Sequence, residues 1–327
     1  MMIADLHCDL LCYLQRDPKR TPHDRAVRCS IPQLREGGVK VQTMAIFSET
    51  TPGSSENGWA QAEIFRQLSL KYSDDFFLLR KSEDIDAIPL GKIGIIPAIE
   101  SMSALCGEKD DLEAMLERVD LLLKKIGKIL YVSLTWNTEN RFGGGALTNV
   151  GLKEDGKRVL SYLDERGIAI DLSHTSDRLA YDILNEIDRQ GLKIQVLASH
   201  SNMRTIANFP RNLPDEISRE IIRREGVIGL NFIRYLLGKE SPSNFAKHVE
   251  HLLFIGGAKH MCFGADFFYH GDFSLGKSVD ELFFSDYDNA STYNKMIDLV
   301  KKELALPKEI LQDFSYNNFR NLFCKRS

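Results

Sequence analysis

The chain has no run of some 18 or more apolar residues, so no stretch of it is expected to span a bilayer. Positive charge is not in excess either. Its 42 Lys and Arg stand against 46 Asp and Glu, a formal net charge of −4, and such a balance argues against nucleic acid or an anionic membrane as partner. The opening residues, Met1-Met2-Ile3-Ala4-Asp5, lack the basic region, apolar stretch and small-residue cleavage site of a secretory signal. Six cysteines (Cys8, Cys12, Cys29, Cys106, Cys262, Cys324) include no CxxC pair and no disulfide-dense spacing. A reduced, cytoplasmic setting is the expectation. Repeats, low-complexity tracts and linkers are missing too, so the 327 residues are expected to form one domain, 1–327, and the 43% apolar content suffices for a large core.

What is present is a recurring unit. Short runs rich in Val, Ile and Leu fall at about 1–7, 39–48, 91–98, 129–135, 167–173, 193–199, 226–232 and 260–265, each ending in a polar cluster. Apolar stripes at three- and four-residue spacing follow most of them, at 110–128, 154–166, 215–224 and 245–255. Strands alternating with helices imply a parallel sheet, and eight such units close into a (β/α)8 TIM barrel of the metal-dependent hydrolase type. An open doubly wound sheet would share the local pattern, but the residues at the strand ends favour a ring. Residues 51–57 and 137–151 read as loops, and a helical segment is expected from about Ser278 onward.

In a barrel of this kind the C-terminal strand ends face the active site. Those ends offer Asp5-Leu6-His7-Cys8-Asp9, Ala98-Ile99-Glu100, Asp171-Leu172-Ser173-His174, Ala198-Ser199-His200-Ser201 and Gly264-Ala265-Asp266. His7 and Asp9, two residues apart, point the same way on an extended strand while Cys8 points the other. Any one such residue is usually a hydrogen-bonded structural group. Five strand ends each presenting one suggest a centre for borderline divalent cations such as zinc. A carboxylate such as Glu100 can bridge two ions about 3.5–4 Å apart, a bridging water loses a proton near neutral pH, and Asp266 would orient it and carry that proton.

The stretches 5–9 (DLHCD), 98–100 (AIE), 171–174 (DLSH), 199–202 (SHSN), 210–214 (PRNLP), 264–266 (GAD) and 317–322 (NNFRNL) together resemble, in order and across nearly the whole chain, the membrane dipeptidase (renal dipeptidase) family of amidohydrolase-like metallopeptidases. The resemblance implies two zinc ions, His7 and Asp9 holding one, His174 and His200 the other, with Glu100 between them and Arg211 on the terminal carboxylate of a small peptide substrate. A planar guanidinium suits that task because it donates two parallel hydrogen bonds to a carboxylate. The resemblance also implies tolerance of D-residues and pairing into a homodimer, for which no self-complementary patch can be read.

One position departs from the pattern. Many members carry Leu-Thr-His after the fourth strand, the histidine stabilising the oxyanion; here the run is Ser133-Leu134-Thr135-Trp136-Asn137. Asn137 is the expected substitute donor and Trp136 the expected pocket wall or indole donor. Losing an oxyanion donor costs about 10²–10³ in turnover in other enzymes, so a change of substrate is expected. The three glycines at 143–145 suggest a loop that closes over substrate. Tyr235 and the pair Tyr269-His270 follow the last two strands and are further candidate contacts; His23, His248, His251 and His260 receive no role. Hydrolysis of another small amide, an N-acyl amino acid or a β-lactam, and a metal-bearing binder without turnover are the competing readings. A two-metal sugar isomerase would need a Lys at the strand ends, which offer none.

Overall fold

The computed structural model describes residues 1–272 and 278–325. Nine strands are present among the described residues: β1 (Ile3–Asp5), β2 (Val39–Phe47), β3 (Phe76–Leu78), β4 (Ile93–Glu100), β5 (Tyr131–Ser133), β6 (Ala169–Asp171), β7 (Val196–Leu197), β8 (Ile228–Leu230) and β9 (Met261–Phe263). All their pairings are parallel, in the order β7-β6-β5-β4-β2-β1-β9-β8. The ends of that path meet through the bridge Ala198–Ile228, where Ala198 N–H donates to Val227 O at 3.0 Å and Gly229 N–H to Ala198 O at 2.7 Å. The expected eight strands therefore close into a TIM barrel, each shorter than or close to its apolar run.

Strand β3 was not expected. It pairs with the start of β4, Phe76 opposite Ile93, while Ile99 at the other end of β4 reaches β5. The expected loop at 51–57 is also shorter, because the helix Ser54–Lys71 begins inside it. Ser54 and Gly58 are buried on that helix's inner face, and a Cβ on Gly58 would meet Ala104 O at 1.8 Å. The neighbouring backbone lies so close that only glycine fits at position 58.

The other helices follow their apolar stripes. Leu112–Ile126 starts at Asp111, whose side chain accepts from Ala114 N–H, and Asp177–Gln190 starts at Ser176, which accepts from Leu179 N–H. Their apolar faces fill the layer around the barrel. A second cluster fills its interior: Ala4, Leu6, Val41, Ile96, Ala98, Tyr131, Ala169, Leu197, Val227 and Cys262, closed below by Tyr316, Phe319, Leu322 and Phe323 of the C-terminal helical segment. The two-residue strand period separates the layers: Ala4 and Leu6 belong to the interior, Ile3 to the outer layer. Because the lower barrel is plugged, the open end is the one where the strands terminate. No helix among the described residues is long and apolar enough to cross a membrane.

Candidate metal centre and active site

Two buried carboxylates set the strand ends in place. Asp5 accepts from His7 N–H at 2.9 Å, Gln42 Nε2 at 2.9 Å and Ala265 N–H at 2.8 Å, joining β1 to β2 and to the residues after β9. Asp171 accepts from Ser173 N–H, Ser199 N–H and the hydroxyls of Ser133 and Ser199, joining β5, β6 and β7. Each buried charge is thus met by several donors, which is what keeps it from being prohibitive. The turns that follow are bent sharply. Ser101, His174 and Asp266 have φ of 66°, 64° and 63°, the left-handed region that side-chain-bearing residues seldom adopt and that tends to occur where a side chain must be aimed.

The side chains so aimed converge on Glu100. Its Oε2 lies 3.2 Å from His7 Nε2; its Oε1 lies 3.0 Å from His174 Nε2 and 3.6 Å from His200 Nε2. Asp266 Oδ1 is 3.8 Å from His7 Nε2. Three overlapping groups offer ligand atoms within 4.8 Å of one another: His7, Asp9 and Glu100; Glu100, His174 and His200; His7, His200 and Asp266. The five residues expected as ligands, and Asp266, are therefore brought together.

The partners of the three imidazoles dictate their tautomers. Tyr131 Oη donates to Leu6 O, so it accepts from His7 Nδ1–H at 2.7 Å. Ser199 Oγ donates to Asp171, so it accepts from His200 Nδ1–H at 2.7 Å. Asn137 Oδ1 accepts from His174 Nδ1–H at 2.8 Å. In the neutral rings that a cation would bind, all three Nε2 atoms then turn a lone pair toward Glu100. The Nε2 atoms of His7 and His200 and Oδ1 of Asp9 are buried with no hydrogen-bond partner, the signature of ligands whose other nitrogen is oriented from behind. The donor set fits divalent cations.

Charge points the same way. Burial, with Arg211 nearby, pushes the His174 imidazole down to about 3, and burial drives His200 down as well, so both stay neutral. Burial would do the same to His7, but the carboxylates of Glu100, Asp9 and Asp266 outweigh it and lift His7 to about 10. Burial, with Glu100 close by, raises Asp9, and burial raises the Asp266 carboxyl to about 7. Glu100 is held low despite its burial because His7 and His174 face it. A buried pocket that crowds three carboxyl groups together, raises two of them and pulls a proton onto His7 is a centre short of positive charge.

Above the cluster opens a cleft, lined on its floor by Asp9, Glu100, His174 and Asp266. Arg211, Tyr235, Ile233 and Leu236 contribute one side of it, Phe47, Trp136 and Asn137 another, and Phe268 lies beside Asp266. Arg211 is buried; its Nη2 donates to His200 O at 3.4 Å and its Nη1 has no partner.

Three expectations change here. Asn137 lines the cleft, but its carbonyl oxygen is taken by His174, so only its Nδ2 remains as a donor and its main contact is to that imidazole. The glycines at 143–145 form no lid. They are buried, and a Cβ would meet Leu179 at 2.7 Å, Val150 O at 2.3 Å or Trp136 O at 2.1 Å; they are there because neighbouring chain lies against them. Tyr269 and His270 do not line the cleft; Tyr269 packs edge-on against Tyr13.

Of the histidines left without a role, His248 accepts from Met203 N–H and donates to Leu237 O, His251 pairs with Asp215, and His260 donates to Gly226 O. His23 is exposed and lies edge-on to Tyr72. Sequence reasoning passed over Tyr131, Ser199, Asp5 and Asp171 as supports and Phe47 and Phe268 as cleft walls. The one visible signal was a carboxylate two or three residues before His7 and His174.

The sequence profile of the family described as membrane dipeptidase (peptidase family M19) matches residues 1–313. An uncharacterised dipeptidase of Schizosaccharomyces pombe is 26% identical over 260 residues, and dipeptidase verJ of Clonostachys rogersoniana 27% identical over 214. These matches take in 72% and 63% of this chain but only 59% and 52% of those relatives. The fold is similar to that of a metallopeptidase from Rhodobacter sphaeroides solved with a phosphinate mimic of L-Ala-D-Ala. The TM-score is 0.83 at 18% identity, covering 100% of this chain and 99% of that one.

Proposed function

Since the chain belongs to the membrane dipeptidase family, we propose that it is a zinc-dependent dipeptidase, cleaving the amide bond of short peptides with a free carboxylate. The observation that carries this reading is the placement of Glu100, whose two oxygens face two different sets of imidazoles, His7 on one side and His174 and His200 on the other. That arrangement supports a bridging role, with Asp9 completing the first set and His174 and His200 the second. Divalent ions held there supply Lewis acidity and draw the pKa of a water toward neutrality.

The remaining work falls to side chains. Arg211, buried with Nη1 unpartnered, takes the substrate's terminal carboxylate and sets its distance from Glu100. Tyr235 lies beside Arg211 and closes that end. Asp266 faces His7 across 3.8 Å and Arg211 on its other side, placed to take a proton from the attacking water and return it to the leaving amine nitrogen. Asn137 keeps the His174 ring turned so that Nε2 faces Glu100, and Trp136 lies nearly parallel to that ring at 5.7 Å. The mimic of L-Ala-D-Ala bound by the Rhodobacter protein supports a dipeptide, one with a D-residue included.

Metal analysis followed by a small dipeptide panel tests this. Two zinc ions per chain and release of free amino acids are expected. Bound metal with no turnover of any peptide, acyl amino acid or lactam would leave a binder in place of a hydrolase.

A further inference from the structure

The order of the strands says where the two halves of a substrate lie. Around the ring, β7 and β8 carry Arg211, Ile233, Tyr235 and Leu236 in the loops that follow them, while β2, β4 and β5 carry Phe47, Glu100 and Trp136 at theirs. In a ring of eight the loops after β7 and β8 lie opposite the β2–β4–β5 arc that holds Phe47 and Trp136, and Glu100 on that arc forms part of the floor. Phe47 and Trp136 pack on each other at 5.3 Å, and Trp136 continues over His174 at 5.7 Å with the rings 29° apart. A substrate pinned by its carboxylate at Arg211 therefore extends its acyl half toward an aromatic wall.

That wall carries no carboxylate to pair with an ammonium. Among the described residues, the carboxylates lining the cleft are Asp9, Glu100 and Asp266. The first two belong to the cluster of metal-ligand type, and Asp266 is the proton carrier facing His7 and Arg211. Glu49, two residues beyond Phe47, is exposed and outside the lining. The sequence of residues 273–277 contains no Asp or Glu.

We infer that this chain recognises the acyl half of its substrate by apolar contact with Phe47 and Trp136 and needs no free amine there. Its substrates then include amino acids N-acylated by an apolar group, alongside dipeptides. The reaction is the same hydrolysis: water adds its oxygen to the acyl carbon, the C–N bond breaks, and the nitrogen leaves with a proton as the free amino acid. The inference rests on the proposed amidase chemistry but concerns only what the acyl half must carry.

The test uses the full chain loaded with zinc and a matched pair, L-Leu-D-Ala and 4-methylpentanoyl-D-Ala, which differ only in the α-amino group. A dedicated ammonium contact would be worth about 10- to 100-fold in kcat/KM. The expected ratio is under tenfold. A loss of tenfold or more without the amine overturns the inference and leaves the dipeptidase reading standing; hydrolysis of neither compound overturns both.

A ladder of acyl-D-Ala substrates from acetyl to 4-methylpentanoyl gives a second, independent readout. kcat/KM is expected to climb about three- to fourfold for each methylene buried. Trp136→Ala should flatten the climb and Trp136→Phe should largely keep it. A ladder as steep in Trp136→Ala as in the parent would remove the wall from the account.

Discussion

Tyr131→Phe removes one oxygen from the barrel interior and tests whether the imidazoles are held from behind. The Tyr131 hydroxyl accepts from His7 Nδ1–H at 2.7 Å and donates to Leu6 O at 2.9 Å, with all three residues fully buried. Without it, two buried polar groups lose a partner, each at a cost of about 1–3 kcal/mol. A loss of about 2–4 kcal/mol in unfolding free energy is expected, since some relaxation and water entry offset the sum. The second effect falls on metal affinity. With no acceptor at Nδ1, the His7 proton is as well placed on Nε2, where Glu100 Oε2 lies at 3.2 Å, and that tautomer cannot ligate. Loss of such a support typically costs 10- to 100-fold in metal affinity. Zinc titration against a chelating indicator, paired with urea unfolding of the metal-free protein, separates the two effects. Lower stability with unchanged zinc affinity would refute the tautomer argument, because mere loss of packing predicts that result.

Asp266→Asn is expected to keep both metals and lower kcat by about 10²–10⁴, the range for removing a general acid–base, and wild-type turnover would strip Asp266 of its role. Arg211→Ala should raise KM about 10- to 100-fold for substrates with a free carboxylate; an equal rise for amidated substrates would count against the salt link. The His248 imidazole, accepting from Met203 N–H, is pushed down to about 4 by burial. Below its ordinary pKa near 6.5 the unfolded chain binds a proton that the folded one refuses, so stability falls as pH drops from about 6.5 to 4, by up to about 3 kcal/mol. His248→Gln should lose about 1–2 kcal/mol less than the parent between pH 7 and 5 in urea titrations, and parallel curves would show that His248 does not titrate in this way.

Much of the site was already legible in the chain. Strand-and-helix alternation is a local property, so eight apolar runs announced eight barrel strands, and the two-residue period alone put His7 and Asp9 on one side with Cys8 on the other. Because the candidate ligands and Asp266 sit at or just past strand ends, the list His7, Asp9, Glu100, His174, His200 and Asp266 could be drawn up without knowing the contacts. Contacts decided the rest. Asn137 has the chemistry of an oxyanion donor, and only the fold turns its oxygen to His174, 37 residues away. Three glycines suggest a lid until Leu179, Val150 and Trp136 are found packed on them. Tyr131 braces His7 across 124 positions and Asp5 holds Ala265 across 260, and no spacing rule spans such distances. Periodicity and residue type thus specified the barrel and the residues at its mouth, and the family resemblance supplied their expected roles. Which buried oxygen meets which ring nitrogen depended on close packing between distant segments, where a partner is defined by position in space and leaves no trace in its neighbours along the chain.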